Sequence, residues 1–153
     1  MLQFTRRADT GSVASASVTL PIDKREKSRL RVTLSDGREA GIILERGESL
    51  QHGDKLASSD GETIEVVAAE EKLSAVRCSD PLLFARACYH LGNRHVPVQI
   101  VVKACGEGTV SYLHDHVLDD MLRGLGLSVE TVMAPFTPEP GAYGGGHHHS
   151  HSH

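Results

Sequence analysis

The sequence changes its pattern near residue 73, and this change sets the strongest limit on the fold. Before that point the apolar residues come in short runs, and the run at 29–34 alternates with polar residues as a half-buried strand does. Asp36-Gly37 and Asp60-Gly61 are dipeptides typical of tight β-hairpin turns. We therefore predict that residues 1–73 form an N-terminal all-β domain without a helix.

Beyond residue 73, helical patterns occur between runs that resemble strands. Asp80 and Pro81 suit the N-cap and the first position of a helix over 82–91, which Gly92-Asn93 should end. The remaining runs predict two strands, a second amphipathic helix and a last strand, so that the order is βαββαβ. We predict a ferredoxin-like domain at 74–135 and an α+β chain overall.

The composition is that of an ordinary globular chain. Its 153 residues suffice for one medium domain or two small ones, and the net charge of −4 is spread along the chain without a basic patch. We therefore expect no nucleic-acid partner and no membrane partner. Three cysteines cannot all pair within one chain, and neither a secretory leader nor a run of about 20 apolar residues is visible. These observations predict a reduced, cytoplasmic protein.

Histidine is the unusual residue, because ten are present and five of them fall within the last seven positions. We predict that residues 136–153 form a flexible tail, since prolines and glycines precede these histidines. Several imidazoles on one flexible chain can chelate nickel, copper, zinc or cobalt. A purification tag is the alternative, although Ser150 and Ser152 interrupt the run. The candidate ligands of the tail are His147, His148, His149, His151 and His153.

Three further histidines are candidate metal ligands in the second domain. His95 is expected on the loop after the Gly-Asn stop, as one imidazole that needs ligands from elsewhere to complete at least fourfold coordination. A twofold homodimer would bring two copies of His95 together, and the tails could complete the shell. His114 and His116 point the same way on a strand and roughly 200° apart on a helix, so they form either a chelating pair or two separate surface side chains.

No motif of a nucleophile, a P-loop or a dinucleotide-binding loop is present in the sequence. A zinc hydrolase could use His114 and His116 with Asp119 or Asp120, but the sequence identifies no general base for it. We therefore predict that the chain is not an enzyme. A passive histidine-rich metal buffer remains as an alternative to a specific metal carrier.

Two segments closely resemble a known family. They are Cys88-Tyr89-His90-Leu91-Gly92-Asn93-Arg94-His95-Val96-Pro97 and His114-Asp115-His116-Val117-Leu118-Asp119-Asp120-Met121. The likeness extends to residues 16–23, to Asp36-Gly37-Arg38, to Gly141-Ala142-Tyr143 and to the His-rich end, so it covers nearly the whole chain. In these motifs the chain resembles the urease accessory nickel metallochaperones of the UreE family.

The resemblance implies a function and a set of partners. It implies a homodimer that is joined through the C-terminal domains and delivers Ni(II) to apo-urease in a complex with the accessory GTPase. It assigns the principal metal site to His95 from two chains, supplemented by tail histidines, and secondary ligands to His114 and His116. The same sites could also take Zn(II) or Cu(II). Imidazole binds metal in its neutral form, so occupancy should fall as the pH drops through about 6.5.

Overall fold

The computed structural model describes residues 1–141, which fold into two compact units. The first unit spans Met1–Ala69, and the second begins at Glu70. The sequence pattern predicts a division after residue 73, but one strand runs from Glu70 to Cys78, so Ser74 lies inside it. No helix within residues 1–141 is both long enough and apolar enough to cross a membrane.

The first unit is built from six strands and one short helix. In chain order they are β1 Leu2–Arg7, β2 Ala16–Leu20, α1 Ile22–Arg25, β3 Arg29–Thr33, β4 Glu39–Ile43, β5 Lys55–Ser58 and β6 Thr63–Ala68. All six strands join in one sheet of order β2-β6-β5-β1-β4-β3. The β3/β4 and β5/β6 pairs are antiparallel and enclose the two Asp-Gly dipeptides, so both predicted hairpins are confirmed. The glycines of these turns, Gly37 and Gly61, have φ values of 92° and 91°.

The prediction of a first half without a helix is wrong at α1, which is a single turn. Arg25 at its end is buried, and its Nε donates a hydrogen bond to the Leu20 carbonyl oxygen at 3.0 Å. Four residues are too few to show a helical repeat, so no sequence pattern indicates this turn. The apolar core of the unit includes the fully buried side chains Phe4, Ala40, Ile42, Leu56, Ile64 and Val66.

The second unit has the predicted βαββαβ order. Its elements are β7 Glu70–Cys78, α2 Pro81–Asn93, β8 Gln99–Val102, β9 Gly108–Leu113, α3 His116–Gly124 and β10 Glu130–Pro135. The sheet order is β10-β7-β9-β8, and each neighbouring pair is antiparallel. Because β9 lies between β7 and β8, this is the split arrangement of a ferredoxin-like domain. The predicted α+β fold is confirmed.

Both longer helices begin at aspartate caps and pack on one face of this sheet. The Asp80 carboxylate accepts hydrogen bonds from the backbone N–H groups of Leu82 and Leu83, and Pro81 occupies the first helical position as predicted. The shared core contains Val76, Val110 and Tyr112 from the sheet, Ala87 and Leu91 from α2, and Leu118 and Leu122 from α3. Helix α2 continues through Gly92 and Asn93, so the predicted stop is its last turn.

Residues 136–139 connect the two edge strands of the sheet, and we call this segment the strap. Phe136 follows β10 at one edge and is fully buried. At the other edge, the Thr137 N–H donates to Gln99 Oε1 at 2.8 Å, and the Glu139 N–H donates to the Val98 carbonyl oxygen at 2.7 Å. The prediction of a flexible tail over 136–153 is therefore corrected for residues 136–139, because the strap is hydrogen-bonded to the domain. Residues 142–153 lie outside the described part of the chain.

Candidate metal centre

His95 lies at the end of α2, in a turn that fixes its backbone. Its N–H donates to the Gly92 carbonyl oxygen at 2.9 Å, and the Val96 N–H donates to that of Leu91 at 3.1 Å. This pair of hydrogen bonds is the Schellman motif, in which the residue after the cap adopts the left-handed conformation. His95 has a φ of 61° and is the one non-glycine residue with positive φ within residues 1–141. Glycine usually fills this position.

The Schellman turn presents His95 to solvent at the negative end of a helix. Leu91 and Val96, which the turn brings together, pack in or against the core, while His95 is exposed. The unpaired carbonyl groups at a helix C-terminus favour a nearby cation. A left-handed conformation costs an L-residue roughly 1 to 2 kcal/mol, and such strain is often found at functional sites. The predicted loop position of His95 is confirmed.

His114 and His116 lie on the connection between β9 and α3. The His114 N–H continues the sheet ladder by donating to the Lys72 carbonyl oxygen at 3.0 Å, whereas His116 is the first residue of the helix. Asp115 between them is the N-cap, and its carboxylate accepts from the backbone N–H groups of Val117 and Leu118. The two histidines thus belong to different elements. Both residues are exposed as a whole, although the side chain of His114 is only 30% exposed because its inner edge contacts the domain.

His114 is attached to a buried polar network beneath it. Its Nδ1 lies 3.1 Å from Ser74 Oγ and 3.5 Å from Asp119 Oδ2, and its side chain is 30% exposed. The Tyr112 hydroxyl donates a hydrogen bond of 2.6 Å to Asp119 Oδ1. Burial alone would raise the pKa of the Asp119 carboxyl, but hydrogen bonds from Ser74 and Tyr112 outweigh it and hold the pKa below its ordinary value. Asp119 is therefore an ionised carboxylate at neutral pH, although only 3% of it is exposed.

The other candidate ligands have less defined surroundings. Within the described residues 1–141, no group of three or more histidine, cysteine, aspartate and glutamate side chains could hold a metal ion. His90 in the last turn of α2 has its ring edge-on to that of Tyr89, with 5.1 Å between centroids. Cys88 is half-buried against the core, and burial raises the pKa of its thiol, which disfavours the thiolate that binds metal. The five predicted tail ligands lie outside the described residues.

The sequence names Asp119 only as one of two carboxylates that a zinc hydrolase could use, and it does not predict the burial of Asp119 beneath His114. Asp115 is the N-cap of this helix, α3. The available indication of the burial was the spacing of Asp119, because it follows Leu118 and precedes Leu122 on the face that packs on the sheet. The left-handed backbone of His95 had no indication in the sequence, since glycine is the residue expected there.

Comparison with known proteins defines the class and the family. A family model for the N-terminal domain of the UreE urease accessory protein matches residues 4–69, and one for its C-terminal domain matches residues 71–153. The class is thus that of urease accessory proteins, which are not enzymes, and our prediction on that point is confirmed. The chain belongs to the UreE family.

Individual relatives are similar over nearly their whole length. A urease accessory protein UreE from Citrobacter koseri is 54% identical, and the alignment covers 100% of both chains. Its counterpart from Alkalilimnicola ehrlichii is 59% identical over 95% of this chain and 86% of the relative. One from Pseudomonas putida is 60% identical over 94% of this chain and 86% of the relative.

Proposed function

We propose that the chain is a nickel metallochaperone of the cytoplasm, which delivers Ni(II) to apo-urease while the urease active site is assembled. The observation that carries this proposal is the exposed imidazole of His95, held by a left-handed turn at the end of α2. A site with few protein ligands can pass its metal to a better site without large rearrangement. The membership of a urease accessory family supports urease as the recipient.

The metal site is proposed to be shared between two copies of the chain. One imidazole is far from the four or more ligands that nickel or zinc requires, and a twofold axis near His95 would supply a second. Neutral imidazole also suits Cu(II) and Zn(II), so these ions are expected to compete for the site. His116 and His114 are proposed as secondary ligands, and the tail histidines as supplementary ones.

The outer face of α2 supports a dimer at this place. Leu82 is 58% exposed and Tyr89 is 64% exposed, although both are large apolar side chains. With the exposed small residues Ala85 and Gly92 they recur at spacings of three and four, so they share one face that leads to His95. Small and aromatic residues on one helix face allow the close approach of a partner helix, and aromatic residues are enriched at interfaces.

The strap places the beginning of the tail near His95. The Glu139 N–H is bonded to the Val98 carbonyl oxygen, and Val98 is three residues from His95. From Glu139 to His147 is eight residues, which can span at most about 29 Å. The tail histidines are therefore within reach of the His95 site, at a high local concentration. The strap supports a role of the tail as a second set of ligands for the same metal.

Delivery can be tested against passive buffering. The nickel-loaded chain should activate apo-urease, in the presence of its accessory GTPase and partner proteins, when a competing chelator keeps free Ni(II) low. A chain that ends at Gly141 should still activate urease, but with fewer nickel equivalents bound. The matched control is a peptide of residues 142–153 carrying the same total nickel. If the peptide activates urease as well as the full chain does, the chain is a buffer and the delivery proposal fails.

The dimer has its own test in Tyr89→Glu. A glutamate on the proposed interface should raise the dimer dissociation constant by at least about 30-fold, because truncation of an interface tyrosine alone can cost about 2 kcal/mol and the charge adds a desolvation cost. Analytical ultracentrifugation would measure this constant. Val117→Glu is the control, since Val117 is 52% exposed on the other helix. A Tyr89→Glu chain that dimerises normally would place the interface elsewhere.

A second candidate function, the zinc hydrolase, has less support. His114 turns its Nδ1 inward to Ser74 and Asp119, so these three groups do not face one open metal position. The contact with the accessory GTPase is proposed for the first unit, the N-terminal β domain.

A further inference from the structure

In the buried network beneath His114, the Asp119 carboxylate determines which neighbouring groups act as hydrogen-bond donors. An ionised carboxylate can only accept hydrogen bonds, so each hydrogen-bonding group that faces Asp119 must act as a donor to it. The Tyr112 hydroxyl donates a hydrogen bond to Asp119 Oδ1. The Ser74 hydroxyl lies beside His114 as well and can either donate or accept, so the carboxylate and not Ser74 decides which groups of the network are donors.

The Asp119 carboxylate favours a donor at the nitrogen of His114 that faces it. His114 Nδ1 lies 3.1 Å from Ser74 Oγ and 3.5 Å from Asp119 Oδ2, so both of its neighbours are oxygens with lone pairs. A deprotonated Nδ1 would set its lone pair against the Asp119 oxygen, which cannot donate. A protonated Nδ1 satisfies the contact, and in the neutral ring the proton is then absent from Nε2.

We propose that Asp119, acting with Ser74, is a positioning residue that fixes His114 in its Nδ1–H tautomer and leaves the Nε2 lone pair free for a metal ion. The inference rests on the proposed role of His114 as a metal ligand and deepens it. Metal-bound histidines commonly donate their second ring N–H to a carboxylate or another acceptor, which fixes the ring and makes the ligand more basic. In this chain the acceptors are supplied by α3 and by β7.

The network is rigid enough for this task. Asp119 and Ser74 are 3% and 0% exposed, and Tyr112 is fully buried in the core of the second unit. The His114 backbone is also held, because its N–H donates to Lys72 in the neighbouring strand. The ring therefore has little freedom on its inner side, and its partly exposed outer side is where a metal ion can approach.

The first part of the test needs no metal. Long-range ¹⁵N–¹H correlation spectra of the metal-free chain, with His114→Gln to assign the signals, should show the Nδ1–H form of His114. Asp119→Asn should return His114 to a mixture of tautomers, and Ser74→Ala should do so to a lesser degree. Asp120→Asn is the matched control, because Asp120 is the next residue on α3 and its side chain is 72% exposed. It should leave the spectrum unchanged.

The second part measures Ni(II) alone, by calorimetry, in chains that carry His95→Ala and end at Gly141. We expect Asp119→Asn to weaken the remaining site by about 10- to 100-fold, the usual effect of removing the partner of a ligand. Asp120→Asn should have no effect. An Nε2–H tautomer in the parent chain, or unchanged affinity in Asp119→Asn while His114→Gln loses the metal, would overturn the inference and leave the proposed function intact. If His114→Gln keeps full affinity, the ligand role of His114 is refuted, and the inference with it.

Discussion

Replacing His95 with alanine or with glycine is expected to abolish the binding of the most tightly held nickel ion. The two variants should nevertheless differ in stability. In the proposed homodimer, both changes would remove two imidazoles from the shared site. Loss of the partner of one ligand already costs 10- to 100-fold in affinity, so loss of two ligands should weaken binding by more than about 100-fold. Calorimetric titration with Ni(II) would show this as the loss of one tight equivalent per dimer.

A comparison of the stability of the two variants separates the effect of losing the His95 imidazole from the effect of strain in the backbone at residue 95. The residue has a φ of 61°, which glycine adopts without strain and alanine does not. The glycine variant should therefore exceed the alanine variant in free energy of unfolding by about 1 kcal/mol. Chemical denaturation would measure the difference, and equal loss of nickel from both variants would show that unfolding is not the cause.

A control for the His95 experiment lies on the same helix. His90→Ala removes another imidazole from the last turn of α2, where the ring packs edge-on against Tyr89. We expect the tight nickel equivalent to survive this change. If His95→Gly keeps tight binding, or if His90→Ala loses it, the assignment of the principal site to His95 is wrong.

Much of the fold could be predicted because its determinants are local in the sequence. The Asp-Gly turns fix their hairpins by their own backbone preferences, and Asp80-Pro81 begins α2 through a cap that needs only its neighbours. By contrast, β1 and β5 escaped prediction. Leu2–Arg7 is mostly polar and joins the sheet through backbone pairing with β4 and β5, which no pattern within the strand reveals.

The positions of the candidate ligands along the fold could be predicted from the sequence, but the contacts that hold their side chains and backbones could not. His95 stands out as a histidine after a helix, but its left-handed backbone depends on hydrogen bonds to Leu91 and Gly92 that form only when the helix is complete. Asp119 carries a charge, which usually indicates a surface residue. Its burial depends on Ser74 in a strand 45 positions earlier, and contacts over such distances in sequence are visible only in the folded chain.

The second change with a large expected effect is in the strap, and it should alter the stability of the domain. Phe136→Ala should lower the free energy of unfolding of the second unit by about 3 to 5 kcal/mol, because the ring is fully buried. Denaturant titration, followed by a probe in the second unit, would measure it. Phe136→Leu is the matched control and should lose much less stability than Phe136→Ala, since it keeps an apolar side chain of similar size.

Two truncations distinguish the strap from the tail that follows it. A chain that ends at Gly141 keeps Phe136 and the hydrogen bonds from Thr137 and Glu139 to the opposite edge strand, so its stability should equal that of the full chain. A chain that ends at Pro135 loses all of them and should be destabilised at least as much as Phe136→Ala. If both truncations are equally stable, residues 136–139 contribute nothing to the fold. The expected difference would mean that the structural part of the C-terminus ends near Glu139, and that the histidines beyond it can change in number without loss of the domain that carries His95.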